Sequence, residues 1–262
     1  MGRIYTFVNQ KGGVGKTTTA INMGAYLAQF GQRVLIIDID PQANATSCLG
    51  VDKNSVRGGV YETLLGNSPA LALILQNTRL NLSLLPSSPA LAGAEVELVN
   101  EYAREGRLKK ALDPLIDRYD YLLVDCPPSL GLLTVNGLVA ARNGLIIPVQ
   151  CEYLALEGLS QLTLTIQRVQ SVLFAELRVR GVLLTMFDSR TTLSNDVVAE
   201  VNRHFPDLAF KTIVPRSIRL AEAPSYGLPI SAYAPNSLGA KAYEKLALEV
   251  LERDGIRIPV EV

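Results

Sequence analysis

Cysteine is scarce in this chain. Only Cys48, Cys126 and Cys151 are present, none in C-x-x-C spacing, which argues against a disulfide framework or a zinc site and suits a reducing cytosol. An excess of one charge is missing too, since 25 Lys+Arg balance 25 Asp+Glu. A chain that bound nucleic acid over its whole surface would be basic, so any such contact here is confined to a local patch. No apolar run approaches the ~18–20 residues that span a bilayer. The chain enters a strand-like run at Ile4, so neither a signal peptide nor an N-terminal extension is expected. No Gly/Ser/Pro-rich linker and no internal repeat divides it. What is present is 262 residues, 48% apolar and 19% charged, enough for a large core. One domain over residues 1–262 is the economical expectation.

The stretch Gln10-Lys11-Gly12-Gly13-Val14-Gly15-Lys16-Thr17-Thr18 sits between an apolar run, Ile4 to Val8, and an amphipathic run, Thr17 to Phe30. That order predicts a strand, a glycine-rich turn and a helix closed by Gly31. The turn has the chemistry of a phosphate cradle. Glycines let successive backbone N–H groups point inward without Cβ clashes, and the helix adds the positive end of its dipole. Lys16 is placed to reach the β- and γ-phosphates of a nucleotide, and the Thr17 hydroxyl to take a Mg²⁺ position.

Two further carboxylate sites follow apolar strands. Val34 to Ile37 ends in Asp38-Ile39-Asp40-Pro41-Gln42, and Tyr121 to Val124 ends in Asp125-Cys126-Pro127-Pro128. The second has the Walker B form, an aspartate that orients Mg²⁺ at a strand end. Fully apolar strands ending in polar residues suggest a parallel sheet buried on both faces, with ligands at the strand C-termini. Further strands are expected at Asn81 to Leu85, Leu145 to Val149, Val179 to Thr185 and Phe210 to Val214. Helices are expected at Val60 to Leu65, Ala70 to Leu75, Leu91 to Tyr102, Leu108 to Ile116, Leu133 to Ala141, Leu154 to Leu173, Ser194 to His204 and Leu238 to Arg253. The fold class is α/β, a doubly wound, mostly parallel sheet with helices on both faces. Met186-Phe187-Asp188 and Pro215-Arg216-Ser217 follow late strands on the loop's edge of that sheet, where Met186, Asp188, Pro215, Arg216 and Ser217 can flank a base. No N-K-x-D guanine motif occurs.

The loop departs from the common P-loop, with Gln10 where the first Gly stands and a second lysine, Lys11, at its start. It resembles the deviant Walker A motif, K-G-G-x-G-K-T, of the ParA/MinD superfamily of P-loop ATPases. With the Asp38–Gln42 and Asp125–Pro128 segments and Leu220-Ala221-Glu222-Ala223-Pro224-Ser225-Tyr226-Gly227, the chain is similar to the ParA/Soj chromosome-partitioning branch over nearly its whole length. The resemblance implies slow hydrolysis of ATP with Mg²⁺, stimulated by a ParB-like centromere-binding partner. Phosphates are held by the amides of Gly12, Gly13, Val14, Gly15, Lys16 and Thr17, with Thr18 at the α-phosphate. Asp40 orients the attacking water, and Thr17, Asp40 and Asp125, supported by Asp38, serve the metal. In the family the residue matching Lys11 crosses to a second copy, so ATP would build a sandwich homodimer. Arg190 and Arg219 match arginines that hold duplex DNA nonspecifically, with Arg216, Lys241 and Lys245 as weaker candidates. The base is adenine by the same resemblance, and the location cytoplasmic and nucleoid-associated. The alternative is a MinD-like ATPase that positions itself on a membrane surface. The short, mixed-charge end Leu251-Glu252-Arg253-Asp254-Gly255-Ile256-Arg257-Ile258-Pro259 lacks the basic amphipathic helix such a protein uses, so no membrane attachment is expected.

Overall fold

The structure, a computed structural model, describes residues 1–78, 80–153 and 155–258. Seven strands form one sheet: β1 (Arg3–Phe7), β2 (Val34–Asp38), β3 (Leu75–Asn77), β4 (Leu82–Leu85), β5 (Tyr121–Asp125), β6 (Gly144–Gln150) and β7 (Val179–Thr185). Their order is β3-β4-β2-β5-β1-β6-β7. All neighbours run parallel except β3 against β4. The helices are α1 (Lys16–Gln29), α2 (Asn44–Cys48), α3 (Val60–Leu65), α4 (Ala70–Leu73), α5 (Leu91–Glu97), α6 (Arg107–Leu112), α7 (Leu132–Ala140), α8 (Ala155–Val172), α9 (Thr192–His204), α10 (Ile218–Glu222), α11 (Ile230–Tyr233) and α12 (Leu238–Arg253).

The strands are apolar on both faces because helices cover both. Tyr5, Phe7, Val34, Ile36, Tyr121 and Leu123 pack toward α1 and α12. Their alternating neighbours Ile4, Leu35, Ile37, Leu122 and Val124 pack on the opposite face with the α3, α6 and α5 side chains Val60, Leu108 and Leu91. The register brings Phe7 and Asp38 each level with Asp125. Three strands therefore end together, and β1 lies between β5 and β6, the strand-order switch where parallel sheets bind ligands.

At the other end of the sheet Asp254 is buried beneath α12. It accepts bonds from the hydroxyls of Tyr5 (2.6 Å) and Tyr121 (2.8 Å) and from Arg180 Nη2 (2.8 Å), and pairs with Arg3. Burial, together with this carboxylate, pushes both phenols far above their ordinary range.

Several expectations need correction. Phe210 to Val214 is not a continuous strand: its end amides, Phe210 and Val214, donate to the Val182 and Leu184 carbonyls of β7, each at 2.9 Å, and isolated bridges flank it at Ala209 and Pro215. Between them the amides of Lys211 and Thr212 are diverted to the Glu249 carboxylate on α12, both at 2.9 Å, which interrupts the ladder. The helix expected over Ala70 to Leu75 stops at Leu73, and Leu75 enters β3 instead, so two strands follow one another before the next helix. Leu91 to Tyr102 is helical only to Glu97 before a 3₁₀ turn, and Leu108 to Ile116 tightens at Asp113–Leu115, where Pro114 has no N–H to continue the α pattern. The expected helix start at Leu154, and Pro259 near the C-terminus, lie outside the described residues.

Candidate functional site

The loop after β1 is pinned from three sides. Asn9 Nδ2 donates to the Pro148 carbonyl within β1's neighbour β6 at 2.7 Å, and Asn9 Oδ1 accepts the Lys11 amide at 3.0 Å. The Thr185 hydroxyl at the end of β7 donates to the Val14 carbonyl at 2.8 Å. Gly13 and Gly15 have φ of 73° and 91°, the left-handed region that a side chain disfavours. Gly15 is the N-cap of α1, and no side chain caps that helix or places a carboxylate in its first turn. The first-turn amides and the dipole therefore act on whatever lies in front of them. Lys16 arches back, its ammonium donating to the Lys11 carbonyl at 3.1 Å.

These residues wall a cavity of about 290 Å³. Gly12, Gly13, Gly15, Lys16, Thr17 and Thr18 form one side, and Asp40, Asn44, Cys48, Pro128 and Met186 the other.

Behind the cavity lies a group of acids. Thr17 Oγ1 donates to Asp125 Oδ2 at 2.7 Å, whereas Asp125 Oδ1 is buried with no hydrogen-bond partner. Asp38 accepts the amide and hydroxyl of Thr46 on Oδ2 (2.8 and 2.7 Å) and the Asp40 amide on Oδ1 (3.1 Å). Burial lifts the Asp38 carboxyl to about 6, and burial together with the Asp38 charge lifts Asp125 well above the carboxylate range. Lys16 is pulled down by burial and held up by Asp125, Cys126 and Asp40. Three carboxylates thus face one ammonium, and one oxygen has nothing to bind. A hard divalent cation fits this set: carboxylate oxygens, a hydroxyl and an unsatisfied lone pair. Among the described residues no three His, Cys, Asp or Glu side chains form a metal cage.

A protein-family model described as an AAA domain matches residues 2–179. The sporulation initiation inhibitor protein Soj of Bacillus subtilis (strain 168) is 53% identical over 250 residues, 95% of this chain and 98% of that protein. The chromosome-partitioning ATPase Soj of Treponema pallidum (strain Nichols) is 51% identical over 98% of this chain and all of that one. The chain belongs to the ParA/Soj family. Among solved structures, cobyrinic acid a,c-diamide synthase of Mycobacterium smegmatis with bound ADP and magnesium superposes with a TM-score of 0.84 at 38% identity, covering 100% of both chains.

In this ParA/Soj chain Lys11 stands half exposed, its ammonium 3.3 Å from Glu152 Oε2. Glu152 follows β6 and also pairs with Arg216 at 3.5 Å. Lys11 is not among the residues that line the cavity. Of the expected base-flanking residues, Met186 lines the cavity, with φ of 53°. Pro215 is bridged to Phe187, which places both segments side by side. Asp188 is drawn toward Arg190, Arg216 is held by Glu152, and Ser217 caps the start of α10 without a side-chain bond. Arg190 and Arg219 are both exposed, but neither is without a partner. Arg190 grips Asp188 at 2.7 Å, drawing that carboxyl down to about 2, and Arg219 pairs with Glu222 at 2.9 Å.

Asn9, Thr46, Ser87, Glu152 and Thr185 take part in the site without having been expected there. Glu152 and Thr185 share one cue, a polar residue at or just past the end of an apolar strand, and Asn9 has the same cue. Ser87, two residues past β4, has it too, whereas Thr46 has none. Among the described residues no helix is long and apolar enough to cross a membrane.

Proposed function

We propose that this chain is an ATP-driven DNA-partitioning switch, and that the observation carrying this reading is the Thr17–Asp125 contact behind a phosphate cradle, with Asp125 Oδ1 left unsatisfied. The amides of Gly12, Gly13, Val14, Gly15, Lys16 and Thr17 hold the phosphates, and Thr18 reaches the α-phosphate. Lys16 turns from the Lys11 carbonyl to neutralise charge on the transferring phosphoryl, the main task of a protein in this reaction. Asp40 holds the attacking water in line. Thr17, Asp40 and Asp125 would hold Mg²⁺, which would supply positive charge against the phosphates. Met186, Asp188, Pro215, Arg216 and Ser217 flank the adenine.

Lys11 then leaves Glu152 and meets the phosphates of a second copy, so that ATP joins two chains. An exposed pair of this kind is worth ~0–1 kcal/mol, and a charge-assisted contact to phosphate outweighs it. The dimer presents Arg190 and Arg219 twice, which multiplies a weak affinity for duplex DNA. Hydrolysis, hastened by a ParB-like partner, releases the dimer. The printed name of the Treponema relative, a chromosome-partitioning ATPase, supports this reading.

The test is gel filtration of Asp40→Ala with ATP and Mg²⁺, with and without duplex DNA, beside phosphate release from the unaltered chain. The variant is expected to release little phosphate and to accumulate a DNA-binding dimer. A variant that stays monomeric with ATP, from a chain that releases no phosphate, would overturn the reading.

A further inference from the structure

Asp40 lies in a turn beyond β2, yet it is 5% exposed. What fixes it comes largely from elsewhere in the chain. The Ser87 hydroxyl, two residues past β4, donates to the Asp40 carbonyl at 2.7 Å. The Ser87 amide donates to Thr46 Oγ1 at 2.9 Å, and that hydroxyl donates to Asp38 Oδ2 at 2.7 Å. Asp38 Oδ1 closes the ring by accepting the Asp40 amide at 3.1 Å. Thr46 and Asp38 are fully buried and Ser87 is 1% exposed. Every donor direction in the ring is fixed, because an ionised carboxylate and a carbonyl only accept.

The ring holds Asp40 by its backbone at both ends. The Asp40 carboxylate remains at the cavity wall, with Oδ1 accepting the Gln42 amide at 2.9 Å. Neither Thr46 nor Ser87 lines the cavity. The Asp40 carbonyl has a second partner, the Ala43 amide at 2.8 Å. Loss of the Ser87 hydroxyl therefore leaves a turn in place but frees it to pivot.

We infer that Ser87, acting through the ring it forms with Thr46 and Asp38, is a positioning residue for Asp40. It sets where the carboxylate meets the attacking water and touches neither nucleotide nor water itself. This rests on the role given to Asp40 above. A displacement of ~1 Å at a reacting group costs on the order of 100-fold in rate, whereas the phosphate-binding amides belong to a separate loop. Turnover and binding must therefore separate.

The test compares Ser87→Ala, Thr46→Val and Thr46→Ser in the full chain. Without nucleotide, the amides of Gln42, Ala43 and Thr46 are expected to exchange ~10-fold faster or more in Ser87→Ala and Thr46→Val, with α12 unchanged. The kcat for ATP is expected to fall ~10–100-fold, with affinity for fluorescent ADP within about 2-fold. Thr46→Ser, which keeps the hydroxyl, is expected to retain both turnover and exchange. Unchanged exchange in Ser87→Ala and Thr46→Val, or equal losses of kcat and affinity, would overturn the inference. Should Ser87→Ala not fold, the near-isosteric Thr46→Val against Thr46→Ser decides. Should the unaltered chain hydrolyse no ATP, the ATPase reading falls, and exchange alone decides whether Ser87 holds Asp40.

Discussion

Asp125→Asn separates what this site does for binding from what it costs in stability. Asp125 is fully buried, has one oxygen on Thr17 and one on nothing, and lies level with Asp38 on the next strand. An asparagine keeps the acceptor for Thr17, puts a neutral N–H₂ where the bare oxygen was, and removes the charge that repels Asp38. Three carboxylates against Lys16 become two. Uncompensated buried polar groups cost about 1–3 kcal/mol each, and charged ones more. With about 2 kcal/mol recovered, and part of the Lys16 attraction given up, the ligand-free variant is expected to melt several degrees higher at pH 7.5, at about 2–4 °C per kcal/mol for a chain of this size. The pH sign follows from the raised carboxyl. The folded state holds the Asp125 proton more tightly than the unfolded one, so folded stability falls as pH rises through the folded pKa. The variant's advantage is therefore full at high pH and shrinks as pH is lowered toward 5. Magnesium and nucleotide reverse the ranking. At 100 times Kd the unaltered chain gains about 2.7 kcal/mol, whereas the variant, lacking a metal carboxylate, gains little from adding Mg²⁺ to nucleotide. Differential scanning fluorimetry across pH 5–8, with ADP and with or without Mg²⁺, checks all three statements. A ligand-free variant that melts lower at pH 7.5, or one with the full Mg²⁺ shift, would refute the argument from unbalanced charge.

Three other variants probe the remaining parts. Lys11→Ala loses only an exposed pair with Glu152 and should melt within a degree or two of the unaltered chain. It should bind nucleotide normally yet form no ATP-dependent dimer on gel filtration. Arg219→Glu should weaken duplex binding at least ~10-fold by fluorescence anisotropy, lessen the salt dependence, since fewer phosphates release counterions, and leave the ATP dimer intact. Asp254→Ala strands Arg180, Arg3 and two phenols around a lost buried carboxylate and should cost about 3–5 kcal/mol in chemical denaturation, with nucleotide affinity preserved in the folded fraction.

The parts of the fold that could be read from sequence are those whose cause is local. Val34 to Ile37 and Tyr121 to Val124 announce buried parallel strands by unbroken apolar runs. Gly13 and Gly15 announce backbone angles that other residues avoid. The failures come from distant partners. Lys211 and Thr212 have strand-like neighbours, but Glu249 on α12 claims their amides. Leu75 sits in a run that reads as helix, and only the edge of β4 makes it a strand.

The same division runs through the site. Lys16, Thr17, Asp40 and Asp125 are recognisable because phosphate chemistry fixes their spacing from a glycine loop or a strand end. Ser87 is 47 positions from the carbonyl it holds, and Glu152 lies 141 positions from Lys11. No period or motif links either pair. Yet these partners decide how the recognisable residues behave. If Lys11 acts on a second copy, as proposed, it has to be kept off its own nucleotide, which Glu152 on the adjacent strand end does at small cost. If Asp40 orients water, as proposed, its carboxylate has to be held without being neutralised, which the Ser87 hydroxyl on its carbonyl does and a cation could not. On that reading the motif residues define what reaction is possible, and Ser87, Thr46 and Glu152 around them govern when Lys11 and Asp40 are in place for it.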